Sequence, residues 1–386
     1  MSSNTFIPFS PPLIGEEEIN EVIDTLRSNW ITTGPKTRQF EADFSAYMGA
    51  PGALAVNSCT AALHTALVTA GVGPGDEVIS TPMTFCSTIN VIEHSGARPV
   101  LVDVQPDTLN IDPKQIAEAI TPKTRAIIPV HYAGHPVDLD PIEELATTHG
   151  LQIIEDAAHA LPAKYKDRYI GAGKNPVAYS FYATKNMTTA EGGMLTGDAE
   201  FLKQARMISL HGMSHDAWKR YDKGGSWFYE VVLPGFKYNM TDIQASLGIW
   251  QLKKLQSFHL RRQEVVRQYH AAFSAIEALE TPTTRPYVDH AWHLYGLRLH
   301  PEQLTISRDQ FIDELTARGI GTSVHFIPIH LHPYYHDKYN YTPEDFPVAF
   351  TNYQRILSLP LNPRLTDDEV TRIVGAVTDI VGRFRK

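Results

Sequence analysis

Cysteine is nearly absent from this chain of 386 residues: there are two, Cys59 and Cys86. Two thiols are too few for a disulfide framework or, by themselves, a zinc site, and a reduced, cytoplasmic setting is the expectation. No apolar run approaches the roughly 20 residues that span a bilayer. The start has no basic stretch leading into an apolar core, so no membrane association is expected. Positive charge is also short, with 34 Lys and Arg against 43 Asp and Glu and a formal net charge of −9. The acidic residues are interspersed rather than gathered in a tail. Such a surface argues against nucleic acid as a general partner while leaving room for local cationic pockets. A Gly-x-x-x-x-Gly-Lys-Ser/Thr loop is missing, and Gly171-Ala172-Gly173 does not lead from a strand into a helix. Neither of the common nucleotide-loop chemistries is therefore expected. Internal repeats, low-complexity tracts and long linkers are lacking too.

The chain does hold 43% hydrophobic residues, enough at this length for one large domain and a smaller one. Short apolar runs recur at Ala53–Val56, Val78–Ser80, Pro99–Val104, Ala126–His131, Ile153–Asp156, Val177–Tyr182 and Met194–Thr196. Seven such runs alternating with helical or turn segments predict an α/β layered, mostly parallel seven-stranded sheet. Ligands of such sheets gather at the carboxyl ends of the strands. Before the sheet, Glu16–Ser28 has Ile19, Val22, Ile23 and Leu26 at helical spacing, and Phe40, Phe44 and Tyr47 form an aromatic core stripe. Beyond Met240 the pattern changes. One helix is expected from Thr241 through Leu255 and another from Arg261 to Leu279. Strands at Leu294–Leu299 and Thr322–Phe326 then mix with helices opened by two capping boxes, Ser307-x-x-Gln310 and Thr366-x-x-Glu369. The expected division is a large domain over residues 1–258, N-terminal arm included, and a smaller C-terminal α+β domain over 259–386.

The stretch Tyr179-Ser-Phe-Tyr-Ala-Thr-Lys185-Asn-Met-Thr-Thr-Ala-Glu191-Gly-Gly193 organises the functional reading. Lys185 would emerge at a buried strand's end beside Ser180, with almost no charge near it in sequence. A lysine so placed loses hydration, and its pKa falls from about 10.4 toward neutrality. A neutral amine attacks carbonyl carbon and forms a Schiff base. Upstream, Asn57-Ser58-Cys59-Thr60-Ala61 follows a strand and opens a helix. Free N–H groups at that start and the Thr60 hydroxyl suit a phosphate dianion. Glu155 and Asp156 are neighbours in a strand and must face opposite sides. His325, His330 and His332 lie close in sequence, the last two on one face of the expected strand. No cysteine or carboxylate is placed to complete a zinc site, so no metal is expected.

Ser180-Phe181-x-x-x-Lys185-Asn186 with Glu191-Gly192-Gly193 resembles the cofactor-lysine segment of the DegT family of sugar-nucleotide aminotransferases. The likeness runs from Trp30-Ile31-Thr32-Thr33-Gly34-Pro35 to Ser358-Leu359-Pro360-Leu361. It implies a fold-type-I enzyme dependent on pyridoxal 5′-phosphate (PLP), with Lys185 as its catalytic and cofactor-bearing residue. It further implies Asp156 on the ring nitrogen, His159 on the ring or its 3-oxygen, and Phe85 stacked on the ring. Thr60, Ala61 and Ser180 would bind the phosphate, which Asn239 or Lys237 of Gly235-Phe-Lys-Tyr-Asn-Met-Thr-Asp242 would reach from the neighbouring subunit of a homodimer. Thr33, Lys237, His325 and His330 would border the substrate, a nucleotide-linked keto sugar, with L-glutamate as amino donor. His211-Gly212-Met213, Asp216-Ala217-Trp218, His290-Ala-Trp-His293 and Gly319-Ile-Gly-Thr322 resemble the branch making 4-amino-4-deoxy-L-arabinose, and His159 leans toward C4 amination. The resemblance also admits amination at C3, a cyclitol ketone as substrate, and a PLP-binding regulator without turnover. A plain α/β ligand-binding protein would instead be colourless.

Overall fold

The computed structural model describes residues 5–213 and 228–386. Asp216-Ala217-Trp218 lies outside these described residues. Helices α1 (Glu16–Arg27) and α2 (Pro35–Met48) precede a repeating strand–helix run. In order come β1 (Ala53–Val56), α3 (Cys59–Thr69), β2 (Glu77–Ser80), α4 (Cys86–His94), β3 (Arg98–Leu101), α5 (Pro113–Ala119), β4 (Thr124–Ile127) and α6 (Leu139–His149). Gln152–Ile153 and Glu155–Asp156 follow as β5, then β6 (Val177–Ser180), β7 (Gly193–Thr196) and α7 (Ala199–Ile208). The β5 strand changes partner midway. Ile154 donates its N–H to Ile127 on one side at 3.0 Å, and Glu155 donates to Pro176 on the other at 2.9 Å. Through that change the seven strands form one sheet in the order β3-β2-β4-β5-β6-β7-β1, with β7 alone reversed.

Both faces of the sheet are buried, because successive residues alternate between two cores. Leu54, Val56, Val78, Ala126 and Ala178 meet α3 and α4 on one face. Ala53, Ala55, Ile79, Ile127 and Tyr179 meet α2, α6 and the start of the helix that opens at Asp242 on the other. The expected strands over 99–104 and 126–131 run past the regular ladders, which stop at Leu101 and Ile127 where the chain turns toward the site.

Helix α8 (Asp242–Phe273) is one unbroken element of 32 residues, not the two helices expected. Its Thr241–Gln244 capping box satisfies the first turn. Its buried residues change core along its length: Ala245, Ile249, Leu252 and Leu255 join the sheet's core. Val265, Val266, Tyr269 and Phe273 join a third core, formed with Ile7, the C-terminal strands and their helices. That C-terminal sheet runs β8 (Leu279–Glu280), β9 (Tyr295–Leu299) and β10 (Ile356–Leu359). Around it lie α9 (Arg308–Ala317), α11 (Pro347–Arg355) and α12 (Asp367–Phe384), both predicted capping boxes being formed, while α10 (Pro333–Tyr339) packs against α4 through Tyr335, Lys338 and Tyr339. Residues 322–326 are not a strand; a single bridge, Ser323 to Ser358, ties them to β10. His330 sits in a 3-10 turn, Ile329–Leu331, so it and His332 do not share a strand face.

Candidate active site

The carboxyl ends of β1, β2, β5 and β6 meet at one edge of the sheet, where β7 begins. Between them and residues 325–326 lies a cavity of about 510 Å³. Ser58, Thr60, Phe85, Asp156, His159, Ser180, Lys185 and His325 all line it. The topology explains the convergence, since each parallel strand delivers its following turn to the same edge.

Lys185 stands in a tight turn after β6, its N–H donating to Tyr182 O at 3.0 Å. Burial lowers its pKa to about 8, against the attraction of Cys59 and Asp156, which favours the charged form. Asp156 is almost fully buried and burial raises its pKa, with two hydrogen bonds opposing. Thr88 Oγ1 donates to Oδ2 at 2.7 Å and Ala158 N–H to Oδ1 at 3.0 Å. Glu155 faces the other way, as strand alternation requires. It is held by His131 Nε2 at 2.9 Å and Asn175 Nδ2 at 2.9 Å, away from the cavity.

Helix α3 starts at the cavity floor. Ser58 caps it by accepting the Ala61 N–H at 3.1 Å. The Ala61 amide is therefore already satisfied, and Ala61 is buried off the cavity; the donors left at this helix start belong to Cys59 and Thr60. Gly193 permits the tight fit of β7 on this turn. A Cβ there would fall 2.5 Å from the Ser58 carbonyl carbon and 2.7 Å from the Cys59 nitrogen. Phe85 is exposed at the mouth, 6.1 Å from the Phe326 ring.

Three imidazoles wall the other side, each neutral because burial drives its pKa down: His159 and His293 well below the usual range, His325 to about 4. His159 stacks on Phe326 at 5.6 Å and lies 4.3 Å from His293, and its buried Nδ1 has no partner among the described residues. His325 pairs with Ser358 Oγ at 2.9 Å and stacks on Phe9. His293 was not singled out from sequence, although its stretch was; nor were Ser58 and Thr88.

The remaining candidates do not line the cavity. His330 is buried against Phe346, with neither ring nitrogen bonded among the described residues. Thr33 and Asn239 bond each other, Nδ2 to Oγ1 at 2.6 Å, and Thr33 Oγ1 donates to Met240 O. Lys237 is exposed in the same loop. Among the described residues no three His, Cys, Asp or Glu side chains gather as a metal site, and no helix is long and apolar enough to cross a membrane.

Residues 12–378 match the model of the DegT/DnrJ/EryC1/StrS aminotransferase family. The spore coat polysaccharide biosynthesis protein SpsC of Bacillus subtilis is 52% identical over 380 residues, covering 98% of each chain. Among solved structures, Spr1654 of Streptococcus pneumoniae, assigned as a sugar aminotransferase, superposes in its PMP form with a TM-score of 0.92. It is 38% identical over 98% of this chain and 99% of its own, and is also solved in a PLP form. Helicobacter pylori PseC, an aminotransferase of pseudoaminic acid biosynthesis, is 28% identical over 98% of this chain and 100% of its own, with a TM-score of 0.91. The cavity fits the PLP of Spr1654. It offers an amine of lowered pKa and a buried carboxylate and, among the described residues, a helix start with free amides and an unpartnered buried imidazole nitrogen. With this site on this fold, the chain belongs to the DegT/DnrJ/EryC1/StrS aminotransferase family and is a PLP-dependent sugar aminotransferase.

Proposed function

We propose that the protein moves the amino group of L-glutamate to a nucleotide-linked 4-keto sugar by a ping-pong route, in the cytoplasm, for cell-surface polysaccharide. The observation that carries this reading is Lys185, a buried amine with a pKa near 8, sharing one cavity with the buried Asp156. Bound PLP supplies a protonated pyridine ring that draws electrons from the donor's α-carbon. Asp156 holds that ring nitrogen protonated, and Thr88 and the Ala158 amide hold Asp156. Thr60, the Cys59 amide and Ser180 would hold the phosphate, and Phe85 and His159 would hold the ring. Lys185 Nζ, once free, would take a proton from the donor's α-carbon and give it to the cofactor's reacting carbon, and in the second half-reaction would move one from there to the sugar carbon. The same cycle applies to the keto sugar in reverse, with His325 at the pocket's edge. The 52% identity to SpsC supports the polysaccharide setting.

We assign two chains to each site. Helix α1 meets α8 through its polar side: Thr25 bonds Ser246 at 2.6 Å, and buried Glu18 bonds Gln251 at 2.8 Å. Its apolar Ile19 and Leu26 are 43% and 52% exposed, beside exposed Trp30 and Ile31. An apolar helix face turned outward supports a second copy packed there. The adjoining Thr33–Asn239 loop, with Lys237, lies off its own cavity and in this reading contributes to the partner's.

Absorbance spectra test the activity. L-glutamate alone should convert the PLP spectrum to the PMP spectrum, and one of a panel of UDP-, dTDP- and GDP-linked 4-keto sugars should restore it. A PLP spectrum that glutamate leaves unchanged would overturn the donor; restoration by 3-keto sugars alone would overturn the position.

A further inference from the structure

Asn186 follows Lys185 directly, and its side chain is buried in the wall behind it. Its Nδ2 lies 2.6 Å from Leu161 O and 2.9 Å from Ala291 O. Carbonyl oxygens only accept, so both bonds fix the amide with its NH₂ on that side. Its Oδ1 then lies 3.0 Å from His293 Nδ1. An amide oxygen cannot donate, so His293 Nδ1 must carry the ring's hydrogen. The ring is neutral, held so by burial and by His159, Lys185, Arg262 and His325 around it. A neutral imidazole with its hydrogen on Nδ1 presents a bare lone pair at Nε2. No donor among the described residues meets that lone pair, although His293 forms part of the cavity wall.

The opposite deficit lines the same cavity. Lys185 Nζ has no hydrogen-bond acceptor and no ion-pair partner among the described residues, and its charge is one of those acting on His293. The cavity thus holds an unmatched donor and an unmatched acceptor, and the lysine's four rotatable bonds allow Nζ to swing.

We propose that His293, locked by Asn186 as the Nδ1–H tautomer, is a positioning residue for Lys185: its Nε2 accepts one N–H of the freed amine. The amine then keeps its own lone pair directed into the cavity, toward the carbon whose proton it moves. This inference rests on Lys185 being the cofactor lysine. It extends that reading by giving the amine a resting place between its release and its return. Asn186 acts through His293 and not on the substrate.

The test uses full-length holoenzyme before and after L-glutamate, with formaldehyde and borohydride methylation followed at Lys185 by mass spectrometry. Before glutamate, Lys185 should be protected; methylation there would mean that the lysine assignment itself is wrong. After glutamate, the labelling midpoint of the wild type is read against pH. His293→Leu removes an acceptor that favours the ammonium, so the midpoint should fall by about one pH unit, a tenfold change in reactive fraction. His293→Gln keeps a carbonyl acceptor and should restore most of the shift, which a merely structural role would not produce. A His293→Leu midpoint equal to that of the wild type overturns the inference while leaving Lys185 in place. Should the leucine variant not fold, the wild type decides. Long-range ¹H–¹⁵N correlations of histidine-labelled protein must show the hydrogen on Nδ1, and a hydrogen on Nε2 refutes the proposal.

Discussion

Replacing Asp156 by asparagine separates the charge of this side chain from its shape. In the wild type Thr88 donates to Oδ2 at 2.7 Å and the Ala158 N–H to Oδ1 at 3.0 Å. Thr88 is also 2.7 Å from Thr84 Oγ1, so its hydroxyl accepts from Thr84 while donating to Asp156. In the variant, Oδ1 still accepts from Ala158 and Nδ2 donates to Thr88, which turns its own proton toward Thr84. Every bond survives with the direction of two reversed, and stability should change by no more than about 1 kcal/mol. What is lost is a buried negative charge 3% exposed to solvent. A preorganised electrostatic contact of this kind contributes about 3–4 kcal/mol to a transition state, which is roughly 10²–10³ in rate. Stopped-flow spectra of the glutamate half-reaction should therefore slow by that factor, with cofactor still bound and Tm within a few degrees. A rate within about threefold of the wild type would refute the role given to Asp156. A large drop in Tm would refute the isosteric argument instead.

Glu155→Gln, one residue away, should do the reverse. His131 loses its carboxylate partner and the protein loses about 1–3 kcal/mol by urea titration, while kcat stays within a few-fold. Cofactor-free protein should gain stability as pH rises from about 8 to 9.5. The folded Lys185 pKa of about 8 lies below its unfolded value, so in that window the unfolded chain binds the extra proton. Lys185→Met should remove this slope, and parallel pH curves for variant and wild type would contradict the lowered pKa. Mixing Lys185→Ala with Asn239→Ala under subunit exchange should restore activity in proportion to mixed dimers, each with one intact site. Proven exchange without recovery, where Asn239→Ala alone is impaired, would reject the shared site.

Much of this was legible because the sheet writes itself in short apolar runs and because strand alternation is strict. Glu155 and Asp156 had to diverge, and they do. Lys185 was readable as a lone cation at a buried strand's end. The failures share a cause, which is that the deciding contact is remote. Helix α8 looks like two helices because its buried residues change core near Phe258–Arg262, and Leu260 is exposed there. Neither half alone shows one continuous apolar stripe. Residues 322–326 have strand-like composition, but only Ser323 finds a ladder partner. His293 takes its state from Asn186, 107 residues away, and no local pattern announces that bond. The resemblance put Ala61 at the phosphate, and in the structure the Ser58 hydroxyl, three residues back, takes its amide.

The electrostatics of the cavity explain why these groups sit together at all. Burial pushes Lys185 down and Asp156 up, so each charged form is held against a desolvation penalty. Three neutral imidazoles line the remaining wall and supply no countercharge. A cationic pyridine ring against Asp156 and a phosphate dianion at the α3 start would each meet an opposite charge or dipole already fixed in place. Binding the cofactor therefore relieves penalties that folding alone leaves standing, and it stabilises the native state by mass action. Burial alone already brings the Lys185 amine down to a pKa of about 8. There it can both take and give up a proton at neutral pH, which is what a shuttle between two carbons requires.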